Sequence, residues 1–521
     1  MHTSLPVSPL TLLFPILILG CGTADPCEDV GCSSHGQCFT DEKGEANCDC
    51  DVGYSATAGP ACAFVAPPDT CTRFVHLDST SDSPDGLSWA TAFSGIQPAT
   101  KSAVDGINAS DDEESCDVWV GKGTYKIFVS SPRDVVNIGR GVKLLGGFAG
   151  SEHRRADRNT DPTATVLDGT DIRGMDRHVY RVVTGYEDSL IDGFTIIGGR
   201  AVDRYKDYGG GLVGVDMTVR NCIFTDNTAS KDGGGAYLSG EYATVEDCKF
   251  IGNEALEMGG GLFMKVINPR LINTTFENNS AVGGGGAYLQ WSEGGLVEDC
   301  LFSNNQTVSS NARGGGGGLH IHESRIDVSR CRFIDNNSEA WGGGLFIIRP
   351  APVRVENSIF QGNYGGLGGG VLVDNTSEEM TASIINCTFT ENQARGGASL
   401  AFGTNETTAF VTNSILWGNS ITTSNPDDKE IFHQLATVTY SNVEGGYPGN
   451  GNIDSDPRFY NISLSDFQLK SDSPCVDAGD SRIAPSLDYL ERPREDSEEA
   501  PNVGVGPPWV DMGAFEYQGG S

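Results

Sequence analysis

Val219-Arg220-Asn221-Cys222-Ile223-Phe224-Thr225-Asp226-Asn227 is answered 26 residues later by Val245-Glu246-Asp247-Cys248-Lys249-Phe250-Ile251-Gly252-Asn253, in the same frame. An apolar residue comes first, then two polar ones, a small one, any residue, Phe, and Asn three places on. From about Leu190 to Val443 the frame recurs, ending at Asn227, Asn253, Asn279, Asn305, Asn336, Asn363, Asn392 and Asn419, with intervals of 26 to 31 residues. A period in that range means stacked coils, each burying its apolar face against the next.

Each repeat divides into three short strands. A Gly cluster such as Gly233-Gly234-Gly235 or Gly342-Gly343-Gly344 opens the first, and a second ends on the apolar residue of the frame. Two mostly polar residues, such as Glu246-Asp247, then read as a tight corner. The third strand sends inward a small residue (Cys222, Cys248, Thr274, Cys300, Cys331, Ser358, Cys387, Ser414) and, two places later, a large one (Phe224, Phe250, Phe276, Phe302, Phe333, Phe360, Phe389, Leu416). Period two puts both on one side while the residue between them varies freely. Three strands per turn, wound in parallel at ~4.8 Å between coils, make an all-β, right-handed parallel β-helix.

The Phe column supplies core burial, at ~1.5 to 3 kcal/mol for each ring. The Asn column is structural. At a corner Asn tolerates left-handed backbone, and its amide can bond its counterparts on neighbouring turns. The Cys column alternates with Thr and Ser, so the position asks for a small buried side chain. Ligands in one straight column cannot surround an ion, and unpaired thiols are expected there. Val118-Trp119-Val120, Val142-Lys143-Leu144-Leu145 and Val179-Tyr180-Arg181-Val182 read as opening turns within a cap and first-turn region over 74–190, and Phe194-Thr195-Ile196 follows them as another. Gly86 through Val104 has helical spacing and is expected to cap the open end of the core.

Composition narrows the classes of function. Asp plus Glu outnumber Lys plus Arg by 70 to 35, a net charge of −35, which argues against nucleic acid and anionic membranes as partners. The apolar run Leu12–Leu19 has the shape of a secretory signal and is too short to span a bilayer. Residues 1–20 read as the signal, and Ile18-Leu19-Gly20-Cys21 resembles a bacterial lipobox, which implies lipidation of Cys21; a plainly cleaved signal is the other reading.

Six of 15 cysteines, Cys27, Cys32, Cys38, Cys48, Cys50 and Cys62, form a tight block after a 21–26 linker, with Gly53-Tyr54 behind the fifth. About 36 residues cannot bury enough apolar surface to fold unaided, so the block reads as a disulfide framework made in an oxidising compartment. Spacing alone leaves the pairing open. The pattern resembles an EGF-like domain over 27–62, and that resemblance implies Cys27 with Cys38, Cys32 with Cys48 and Cys50 with Cys62. Some members of that family bind calcium; here only Asp25 and Glu28 stand near the first Cys. A linker follows over 63–73, Cys71 and Cys116 are candidates to pair with each other, and Cys475 has no obvious mate.

Asp85-Gly86-Leu87-Ser88-Trp89, Gly121-Lys122-Gly123-Thr124-Tyr125 and Leu145 to Gly150 resemble the opening of bacterial exported β-helix proteins with a pectate-lyase-like fold. The Gly-Gly-x and Phe-x-x-Asn frames are similar to chlamydial polymorphic outer membrane protein repeats. Within 444–521, Asp456-Pro457-Arg458-Phe459, Ser473 to Asp480 and Asp511 to Glu516 resemble the choice-of-anchor Q domain. Members of that family usually continue into a sorting tail. An N-terminal lipid would supply the anchor this chain does not show at Ser521. Together these resemblances imply fold and surface location, not an activity.

The fold hosts polysaccharide lyases and hydrolases as well as adhesins, so the site must decide. No repeat offers the close Asp pairs of such hydrolases or a convincing cation and base trio of such lyases. After the Gly cluster, inward residues alternate with an outward column of Val213, Tyr237, Phe263, Tyr288, His320, Phe346 and Leu372. Two places on stand Ser239, Lys265, Gln290, His322, Ile348 and Asp374. This is expected to be an exposed aromatic stripe. It serves either to hold glycans or surface proteins, or to stabilise the sheet under its own stacking or under the C-terminal segment. His320 and His322, beside Glu323, are the only His pair on that face. The expectation is an exported, lipid-anchored binder with no catalytic residues and no cofactor, Ca²⁺ aside; the alternative is a polysaccharide lyase on the same face.

Overall fold

The computed structural model describes residues 36–40, 46–50, 54–57, 59–64, 71–110, 114–202, 207–308, 314–349, 352–374, 380–403, 407–423, 429–432 and 436–519. Two compact units emerge. The first holds two antiparallel hairpins, Gly36–Thr40 with Ala46–Cys50 and Tyr54–Thr57 with Gly59–Phe64. The signal, Cys21, Cys27 and Cys32 lie outside the described residues, as do the side chains of Cys38, Cys48, Cys50 and Cys62.

The second unit is the solenoid. Its coils run through three long parallel ladders in a fixed order: ladder I (as Thr218–Arg220), ladder II (Ile223–Thr225) and ladder III (Ala236–Gly240). Among the described residues these hold 13, 12 and 11 strands. A fourth, short ladder of nine strands, as Thr228–Ala229, lies between II and III and was not marked by the sequence frame. Like residues pair with like: Phe224 with Phe250, Val219 with Val245, Ala236 with Leu262.

The Phe rings from Phe224 to Phe389 stack face to face at 4.7 to 5.0 Å and are fully buried. Next to them each ladder Asn is saturated. Asn253 donates Nδ2 to Phe224 O of one neighbouring coil (2.9 Å) and to Asn279 Oδ1 of the other (3.0 Å), while its own Oδ1 accepts from the backbone and side chain of Asn227. The left-handed backbone expected of these asparagines sits one residue earlier, at Asp226, Gly252, Asn278, Asn304, Asp335, Gly362, Glu391 and Gly418. The reason is burial: the amide must point into the coil, and the preceding residue makes the bend. The expected corner after ladder I is left-handed as well, at Asp247 and its equivalents.

The Gly clusters answer to crowding between coils. A Cβ on Gly234 would stand 2.3 Å from Glu254 O and 2.4 Å from Gly260 O, and Gly233 has φ +69°. At the N-terminal end the helix is Ile96–Ala109, later than the expected start at Gly86. Gly86 is left-handed, Trp89–Thr91 makes a short 3-10 turn capped by Ser88, and Gly95 precedes the helix. The helix lays Ile96, Ala99 and Ala103 on the first coils and closes the core. Val183–Gly185, rather than Val179–Val182, is the strand of that coil. Beneath the helix, Cys71 and Cys116 face each other in register and are joined by a disulfide. Cys222, Cys248, Cys300, Cys331, Cys387 and Cys475 are buried thiols.

Beyond the last coil, the chain folds back along the outside of ladder II. Phe459, Phe467, Val476, Met512 and Phe515 cluster on Ile359 and Ile415. Corner asparagines read its backbone: Asn357 Nδ2 donates to Leu487 O, Asn386 Nδ2 to Asp511 O, and Asn413 Nδ2 to Asp480 O.

Candidate ligand-binding surface

The outward column of ladder III stands in register, as Tyr237, Phe263, Tyr288, His320, Phe346 and Leu372. Its ring centroids follow one another at 4.5 to 5.3 Å, stacked from Tyr237 through Phe263 to Tyr288 and tilted at His320, with Tyr208 tilted against the first end. The expected exposure is absent. Phe263, Tyr288, His320 and Phe346 are each 5% exposed or less, because ring faces cover each other and glycine segments close over them. Gly315 is one: a Cβ there would lie 2.3 Å from the Phe346 ring. From Phe263 to Phe346 the stripe is therefore a second apolar seam outside the tube, with no exposed ring face for a sugar, while Tyr237 at its end is half-buried. The C-terminal segment does not cover it, since that segment packs on ladder II. His320 donates Nδ1–H to Gly315 O at 3.2 Å, and burial pushes its pKa down to about 3, so the ring is neutral.

The neighbouring polar column reaches solvent. Tyr288 Oη lies 2.8 Å and Gln290 Nε2 3.4 Å from His322 Nδ1. Both are donors to that nitrogen, so the proton sits on Nε2, facing Glu323 Oε1 at 3.7 Å. Burial holds His322 below the usual imidazole range, and burial likewise raises the Tyr288 phenol. Glu323 accepts from Arg349 (3.0 Å) and from Trp291 Nε1 (2.6 Å), bonds that hold its carboxyl below the ordinary carboxylate range. Lys265 Nζ stands 4.2 Å above the Trp291 ring.

Trp291, Glu323 and Arg349 lie at the corner where ladder III turns into ladder I. That corner carries what the sequence frame missed. Of five exposed aromatic side chains among the described residues, Tyr186 (48%), Tyr242 (65%) and Trp291 (48%) are here. They follow the strands Val183–Gly185, Ala236–Gly240 and Ala287–Gln290, which are two coils apart in ladder III, or ~10 Å along the axis at ~4.8 Å per coil. A depression of about 340 Å³ lined by Arg140, Tyr186, Glu187 and Val215 opens at the N-terminal end of the same flank. Corner lengths vary from coil to coil, so these residues form no sequence column; the available signal was large aromatics directly behind strand ends.

Residues 185–317, 214–389 and 307–444 each match the family model of the right handed beta helix region. These coils are a right-handed β-helix. Metabotropic glutamate receptor-like protein R of Dictyostelium discoideum is 27% identical over 181 residues, a match spanning 35% of this chain and 11% of that protein. Among solved structures, the A-module of Azotobacter vinelandii mannuronan C-5 epimerase AlgE4 is 12% identical with a TM-score of 0.31, covering 74% of this chain and 100% of that one. The full-length tailspike protein 2 of an Escherichia coli O157:H7 bacteriophage is 10% identical with a TM-score of 0.30, covering 79% of this chain and 47% of that one. Likeness at this level concerns the fold alone.

On this β-helix the corner offers stacking surface and fixed hydrogen-bonding groups. Tyr288 and His322 are both neutral and engaged with each other, while Glu323 is ionised between two donors. Such a set is able to orient a polar ligand. Among the described residues no three His, Cys, Asp or Glu side chains converge to hold an ion.

Proposed function

We propose that this chain is an exported surface protein that binds glycans, without transforming them, along the corner between ladders III and I of its β-helix. The observation that carries the reading is the spacing of Tyr186, Tyr242 and Trp291, three exposed rings two coils apart on a molecule that buries most of its other aromatics. Exposed rings flanked by polar groups suit sugar faces, which present C–H bonds to the ring and hydroxyls to its rim. Export is supported by the Cys71–Cys116 disulfide, which requires an oxidising compartment. In this reading residues 1–20 are the signal, Cys21 takes the lipid, and residues 27–62 are an EGF-like module. The region 444–521 is its choice-of-anchor-like end.

A glycan array probed with the purified chain tests the reading, with each retained glycan then incubated and its products followed by ultraviolet absorbance for unsaturated uronates. Retention without product supports it. Product formation overturns it in favour of a lyase, and failure to retain any glycan overturns binding altogether.

A further inference from the structure

Left-handed backbone is inexpensive for Asn, Asp and Gly and strained for large side chains. At the corner from ladder I to ladder II, eight of the ten left-handed residues, Gly193, Asn221, Asp247, Asn273, Asp299, Asn357, Asn386 and Asn413, are Gly, Asn or Asp, with Arg330 and Tyr440 the others. At the corner from ladder III to ladder I, three consecutive coils place Trp291 (φ 59°), Glu323 (φ 48°) and Arg349 (φ 48°) in that conformation. Their backbone N–H groups donate to His322 O, Ile348 O and Asp374 O of the following coil, which fixes the register of the three side chains. Each would cost about 1 kcal/mol or more relative to a residue suited to the bend. The strain is retained where the three side chains meet: Trp291 Nε1 and Arg349 both bond Glu323, and Lys265 stands over the indole.

We infer that Trp291, Glu323 and Arg349 form one saccharide subsite for a neutral sugar ring with adjacent free hydroxyls, the ring stacked on Trp291 and the hydroxyls bonded to Glu323. The inference rests on the proposed glycan reading and assigns the class of sugar within it. An ionised carboxylate accepts two hydroxyl hydrogens at once, and bonds to a charged acceptor are stronger than neutral ones. Arg349 holds that carboxylate in place beside the ring. A uronate is disfavoured on two counts. Its carboxylate would face Glu323, and Arg349, the cation beside that carboxylate, is already paired with it. The chain as a whole carries −35, a field that repels polyanions.

The test is calorimetric titration of the full chain with cellohexaose, mannohexaose and chitohexaose, with hexagalacturonate as the anionic probe. Wild type is compared with Trp291→Ala, Glu323→Gln and Tyr242→Ala, each checked for an unchanged unfolding midpoint. The expected result is that at least one neutral hexasaccharide binds more tightly than hexagalacturonate, and that W291A and E323Q each weaken it tenfold or more. Preference for hexagalacturonate overturns the inference. So does wild-type binding by W291A or E323Q; if Y242A alone loses affinity, the glycan reading survives and this subsite does not. Absence of binding by wild type to all four probes, with no array hit, overturns both.

Discussion

Asn419 donates its side-chain amide to the buried carboxylate of Glu430 across 3.0 Å, so the asparagine ladder that begins at Asn227 ends on an acid. Every ladder amide points the same way, from Asn227 Nδ2 toward Asn253 Oδ1 and onward through Asn392 to Asn419. Ser399 Oγ also donates to Glu430 Oε2, while Oε1 receives no hydrogen bond. Lys429, 3.8 Å away, is shared with Glu444 at 2.7 Å.

Burial first, and then Glu444, push the Glu430 pKa up to about 7 from its ordinary 4.5, against Ser399, Lys429 and Asn419. The folded chain therefore holds this proton more tightly than the unfolded chain does. Stability from this group is complete below about pH 4.5 and is lost as pH rises through about 7, by up to about 3 kcal/mol. Glu516, also raised to about 7 by burial, acts in the same direction. Thermal unfolding should show a falling midpoint between pH 5 and 7.5, and Glu430→Gln should flatten part of that slope. An unchanged slope in the variant would show that the carboxyl is not the titrating group.

Replacing a mid-ladder amide strands groups on two neighbouring coils. Asn305→Ala removes the acceptor of Asn279 N and Nδ2 and the donor to Phe276 O and Asn336 Oδ1. Buried polar groups left unpaired make this costly, about 3 kcal/mol in denaturant unfolding. The exposed Asn278, φ 55°, is the control; its change to Ala should cost about 1 kcal/mol, mainly through backbone strain, with one exposed bond to Glu277 lost.

The thiol column should be chemically silent in the native state. Cys248 Sγ donates to Glu246 O at 3.1 Å, and burial pushes the Cys387 thiol up to about 12. Iodoacetamide with mass spectrometry should label none of Cys222, Cys248, Cys300, Cys331, Cys387 and Cys475 in the native protein and all six after denaturation.

Stacked columns were legible in the sequence because each residue type answers to the same environment on successive coils. Phe302 sits between Phe276 and Phe333 in space as the frame implies. Exposure was not legible. Whether Phe346 is open depends on where Gly315 falls from an adjacent corner, a contact with no sequence period. Trp291, Glu323 and Arg349 sit in connections of differing length, so no column marks them. The C-terminal segment reaches Asn357 and Asn386 across about 125 to 137 residues, beyond any local pattern.

Glycan binding along this corner is tested most directly by the dependence of affinity on chain length, measured with the best ligand of the array trimmed to successive lengths. Tyr186 and Trp291 are four coils apart, ~19 Å at ~4.8 Å per coil. Affinity should climb until the oligosaccharide spans that distance and then level off, with the climb lost in a Tyr186→Ala, Tyr242→Ala, Trp291→Ala triple variant. Equal affinity for a disaccharide and for the longest oligomer, or a triple variant that binds as wild type, would contradict the account.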